Sequence, residues 1–118
     1  MSVEGLWLLR TNQVDDMSTV LAPSVITLET NRLFGGDSAY YYVGDYESSN
    51  GTMSGSARVR THTNYENLEN VFGTTGPVDH LVTFNGTTSD VQLSGTMTSN
   101  LNPDLVLYWQ MTKLAELP

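Results

Sequence analysis

The sequence predicts an all-β fold, an antiparallel barrel of about eight strands. Three observations point there. Apolar and polar residues alternate with period two, and Gly, Asn, Ser and Pro break the pattern every 8–12 residues or so. Thr (15), Ser (11), Gly (10) and Asn (9) dominate the composition, and these residues suit turns and pleated outer faces. The strong helix formers Ala, Gln and Lys number only four, three and one. The 118 residues fit one domain spanning residues 1–118.

The strands follow in order. The first is Gly5 to Arg10, followed by a polar connection, Asn12 to Ala22, closed by Pro23. The second is Ser24 to Glu29, with a tight turn at Thr30-Asn31, and the third is Arg32 to Gly35. Gly35-Gly36-Asp37-Ser38 lacks the lysine of a phosphate loop and reads as a sharp bend. The fourth and fifth strands are Ala39 to Glu47 and Thr52 to His62. The sixth is Leu81 to Gly86, the seventh Val91 to Met97, and the eighth Leu105 to Lys113.

Asn50-Gly51 is the strongest hairpin signal, because a type I′ turn needs positive φ at both central residues. With that pair as the loop, Tyr46 faces Gly55, Gly44 faces Ala57, Tyr42 faces Val59 and Tyr40 faces Thr61. Large opposes small along this face, as a filled barrel interior requires. The other face pairs Tyr41 with Arg60 and Val43 with Arg58. The eighth strand carries Leu105, Leu107, Trp109 and Met111 on one face and Val106 and Tyr108 on the other. A strand apolar on both faces is covered on both sides, so Val106 and Tyr108 form a candidate dimer face. Between the fifth and sixth strands, Tyr65, Leu68 and Phe72 are spaced for one or two helical turns over Asn64–Gly73, ending at a C-terminal glycine. That short helical segment is expected to plug one end of the barrel.

Thirteen acids against five bases give a net charge of −8. Residues 1–60 carry four bases and seven acids, and residues 61–118 carry one base and six acids. Neither half offers the basic face that nucleic acid requires. No run reaches the length of a membrane span. No basic, apolar leader opens the chain and there is no Cys, so a cytoplasmic location is expected.

Catalytic and metal constellations are not evident. His62 and His80 lie on different strands without ligand spacing, and no Gly-x-Ser-x-Gly elbow exists. Asp15, Asp16 and Asp37 match no EF-hand pattern. The expectation is a non-enzymatic protein with no metal or cofactor. The tyrosine run Tyr40-Tyr41-Tyr42 with Tyr46 is the most unusual local feature. Phenols turned inward either fill the core or line a ligand cavity. The candidate lining is Trp7, Tyr40, Tyr42, Tyr46, Phe84 and Trp109.

The block Arg32-Leu33-Phe34-Gly35-Gly36-Asp37-Ser38-Ala39-Tyr40-Tyr41-Tyr42-Val43-Gly44-Asp45-Tyr46 resembles the central motif of the GrlR-like family. So do Ala57-Arg58-Val59-Arg60-Thr61-His62 and Val71-Phe72-Gly73, and Gly5-Leu6-Trp7 is similar to the family's first strand. The resemblance implies a lipocalin-like barrel that associates as a homodimer. It further implies a bacterial regulator that restrains a transcriptional activator by direct contact, as the family's negative regulator of type III secretion does. That regulator uses an acidic cluster in the turn after the fourth strand. Here the turn is Ser48-Ser49-Asn50-Gly51, with Asp45 and Glu47 just before it. Asp45, Glu47, Ser48, Ser49 and Asn50 are therefore the candidate partner-binding residues. The alternative expectation is a carrier or sensor of a small apolar ligand.

Overall fold

Eight antiparallel strands close into an up-and-down barrel in the computed structural model, which describes residues 3–20, 23–89 and 91–118. They are β1 (Gly5–Asn12), β2 (Ser24–Glu29), β3 (Arg32–Gly36), β4 (Tyr40–Ser49), β5 (Thr52–Thr61), β6 (Asp79–Thr88), β7 (Gln92–Ser99) and β8 (Asn102–Ala115). Each strand pairs with its sequence neighbour, and β1 pairs with β8 to close the cylinder. Closure removes every free strand edge.

Period two sets which side chains point inward. In β6, His80, Val82 and Phe84 are buried, while Asp79, Leu81 and Thr83 are exposed. In β8, Leu107, Trp109 and Met111 point inward, so Val106 and Tyr108 lie on the outer face. The β4–β5 register matches the Asn50-Gly51 expectation at every pair, from Tyr40↔Thr61 to Ser49↔Thr52. Asn50 and Gly51 have φ of 55° and 80°, as the primed turn demands.

Large against small holds through the interior. Gly55 stands between Tyr46 and Phe84 in the sheet. A Cβ there would come within 2.8 Å of Phe84 Cζ and 2.9 Å of Tyr46 Cα. The facing pair Gly86 and Gly95 makes the same room for Trp109, whose Cζ2 would lie 2.7 Å from a Gly86 Cβ.

The helical segment expected over Asn64–Gly73 does not form. Asn67 is left-handed, with φ of 62°. The Asn70 side chain takes over the local hydrogen bonding: its Oδ1 accepts from the Phe72 and Thr74 N–H groups, and its Nδ2 donates to Thr74 Oγ1. Asn side chains that bond nearby backbone compete with the helix in this way. A Glu69–Thr75 bridge ties the loop instead. The helical turn in the described residues is a 3-10 turn at Met17–Thr19, capped by Asp16, whose side chain accepts from the Ser18 N–H. Phe72 of this loop is buried beside Val59, Val82 and Leu107, but the loop leaves a cavity open beneath it and does not plug the barrel.

The Thr30-Asn31 turn carries a specific penalty. Thr30 sits at φ 49°, a region that β-branched residues rarely enter. Its N–H donates to Glu4 Oε2, a bond independent of the side chain. Thr30→Asn is therefore expected to stabilise the fold by about 0.5–1 kcal/mol. A rise of a few degrees in thermal midpoint checks this.

Candidate functional site: the open end of the barrel

The barrel is filled at one end and hollow at the other. At the filled end, under the β2–β3 and β4–β5 hairpins, Val3, Trp7, Leu28, Tyr46, Met53, Leu93 and Met111 pack together. The Trp7 indole N–H donates to the Val3 carbonyl at 2.9 Å, and the Lys113 ammonium lies 5.7 Å from the ring centroid. The opposite end carries the connections that follow β1, β3 and β5. There a cavity of about 310 Å³ opens. That reaches the lower bound of roughly 300 Å³ seen for small-molecule sites.

The walls come from every strand. Leu9 and Thr11 of β1, Ser24 and Ile26 of β2, Leu33 of β3, and Tyr40 and Tyr42 of β4 line one side. Ala57, Val59, His80, Phe84, Met97, Trp109 and Met111 line the other, and Leu68 to Phe72 lie across the mouth. Gln13 holds this strap by donating to the Val71 carbonyl at 2.9 Å, and Tyr65 OH donates to the Ser38 carbonyl at 3.2 Å.

Of the lining predicted from sequence, Tyr40, Tyr42, Phe84 and Trp109 face the cavity. Trp7 and Tyr46 do not, because they belong to the filled end. Alternation told which side chains point inward, and it carries no information on height along the barrel axis.

The residue that sequence reasoning missed is Asp37. Its Oδ1 accepts from the backbone N–H groups of Ala39 and Tyr40, both at 2.9 Å. Its Oδ2 accepts from Tyr42 OH at 2.7 Å and Ser24 Oγ at 2.8 Å, and the two hydroxyl oxygens are 2.9 Å apart. Burial opposes the charge on Asp37, but these hydrogen bonds outweigh it and hold the carboxyl below its ordinary range. Burial, reinforced by the Asp37 charge, pushes the Tyr42 phenol well above its own. The signal available in sequence was an Asp at a Gly-Gly bend entering a tyrosine strand, a setting where a carboxylate caps its own turn.

His80 sits on the facing wall. It is buried, its Nδ1 bonds Ser99 Oγ, and its ring meets Phe72 edge-on at 5.0 Å. Burial holds its pKa below the usual 6.5. The unfolded chain thus takes up this proton first as pH falls, and native stability is lost from about pH 6.5 downward through the folded value. His80→Gln is expected to flatten the drop in urea midpoint between pH 7.5 and 5.5. The Asp37 contribution lies lower, being lost only below pH 3.8. Asp79, the neighbour of His80, points outward and pairs with Arg58 at 2.7 and 2.8 Å, and its charge offsets part of the effect of burial on His80.

The other candidates lie outside the cavity. Asp45, Glu47, Ser48, Ser49 and Asn50 are all exposed at the β4–β5 hairpin, at the filled end. Val106 is 48 % exposed and Tyr108 is half-buried. Among the described residues, no three His, Asp or Glu side chains are placed to hold a metal ion, and no helix is long and apolar enough to cross a membrane. Compared with protein families and with curated proteins, the chain matches none.

Proposed function

We propose that the chain binds a small, largely apolar molecule in the open half of its barrel and serves as a carrier or sensor. The observation that carries this reading is the 310 Å³ cavity, apolar along its walls and polar at the Ser24–Asp37–Tyr42 cluster. Such a division suits a ligand held by apolar contact and oriented by a few polar groups. N-phenyl-1-naphthylamine, a neutral dye that brightens in apolar surroundings, tests the reading. Saturable one-site binding is expected, and no saturable enhancement would overturn it.

A second reading is a protein-binding module, the role that the GrlR-like resemblance implies. It is supported by the outer face, where Phe34, Val43, Arg58 and Leu81 form one row across β3 to β6, with Val43 58 % exposed. Exposed apolar rows of this kind favour contact with another protein. In this reading Asp45 and Glu47 meet a basic surface on a regulator, and Val106 and Tyr108 meet a second copy. Light scattering at high concentration separates the latter. A dimer that Val106→Glu dissociates supports it, and a monomer removes it.

A further inference from the structure

We infer that the cavity is selective for a small organic cation, a protonated amine on an aromatic or aliphatic body, with its ammonium at the Ser24–Asp37–Tyr42 cluster. The inference rests on the ligand-binding reading above and specifies the ligand's chemistry.

The first observation is a proton count. Tyr42 OH and Ser24 OH each hold one proton, and both lie within hydrogen-bond distance of Asp37 Oδ2 and of each other. Whichever way the Ser24 proton turns, to Asp37 or to Tyr42, both protons stay inside this triangle. What the cluster offers a ligand is the lone pairs left on the tyrosine and serine oxygens, backed by the charge of a carboxylate whose own four sites already meet the donors of Ala39, Tyr40, Tyr42 and Ser24. A ligand group that meets it must donate. An alcohol supplies one donor, an ammonium three together with a charge, and a carboxylate none.

The second observation is charge. Asp37 and Glu69 are the acidic residues lining the cavity, and no lysine or arginine lines it among the described residues. Among the described residues no lysine or arginine pairs with the Asp37 carboxylate, whose partners are neutral donors, and the His62 ring meets the Asp37 backbone carbonyl at 2.8 Å. The net charge of −8 favours approach of a cation and disfavours an anion.

The third observation is the wall. Tyr40, Phe72, Phe84 and Trp109 line the same cavity. Aromatic faces attract ammonium groups and accept the apolar body equally well. Together they describe a pocket whose polar end is built for a donor and whose remainder is mostly apolar.

A matched series tests this: 2-phenylethylamine, 2-phenylethanol and phenylacetate, titrated calorimetrically at pH 7. The amine is expected to bind about tenfold or more tighter than the alcohol, with phenylacetate weakest. Asp37→Asn keeps an oxygen for the Ala39 and Tyr40 N–H groups and removes the charge. It is expected to erase the amine's advantage over the alcohol in a variant whose fold circular dichroism shows to be intact. Equal binding of amine and alcohol, or an amine preference that survives Asp37→Asn, overturns the inference. If the dye binds and the amine is not preferred, the inference fails alone. If neither dye nor amine binds, the ligand-binding reading fails with it. Should Asp37→Asn unfold, the wild-type ranking still decides.

Discussion

Trp7→Ala is expected to lower the unfolding free energy by about 3–5 kcal/mol, the range for deleting a fully buried tryptophan. Trp7 is 1 % exposed and packs in the filled end with Leu28, Tyr46, Met53 and Leu93. Its indole N–H bond to Val3 and its contact with the Lys113 ammonium go with it. The strands around it close on one another, so the wall cannot collapse into the space without breaking the ladder between β1 and β8. A loss of this size is a large part of the roughly 5–15 kcal/mol by which domains are stable. Urea denaturation measures it. A loss under about 1 kcal/mol would mean that the filled end does not hold the barrel together.

Val59→Trp is expected to have the opposite profile. Val59 lies on the cavity wall beside Tyr42 and His80. A larger ring there can turn into the cavity, but Val59 also packs beside Phe72 and Leu107, so a stability loss of about 1–3 kcal/mol is expected. Ligand binding is expected to weaken by a factor of about ten or more, because the indole takes part of the volume that accepts the apolar body. Dye titration and thermal melting of the same variant read the two effects together. Loss of fold without loss of binding would contradict the division between a filled and a hollow end.

That division was only half legible in the sequence. Tyr42 opposite Val59 and Tyr46 opposite Gly55 follow from one turn, because Asn50-Gly51 fixes the register and period two does the rest. Asp45 and Glu47 were placed outward by the same logic, and they are exposed. Trp7 and Trp109 show the limit. Both point inward, yet one is buried in the filled end and the other lines the cavity. Their difference depends on strand stagger around a closed cylinder, which no single strand encodes. The Asn64–Gly73 loop was misread for a local reason. Its apolar spacing is helical, but Asn67 and Asn70 favour a left-handed turn and a side-chain cap. Asp37 stayed hidden because a carboxylate in a glycine-rich bend looks like ordinary turn chemistry until Ser24 and Tyr42 arrive from other strands.

The central claim is that the open end of the barrel is a binding cavity while the filled end is structural. Nitrogen-15 and methyl NMR spectra recorded during titration with N-phenyl-1-naphthylamine test it most directly. Saturating shifts are expected at Ile26, Val59, His80 and Met97, which line the cavity, with Leu28, Met53 and Leu93 of the filled end unmoved. Shifts confined to the outer row of Phe34, Val43 and Leu81, or no saturable shifts at all, would contradict it.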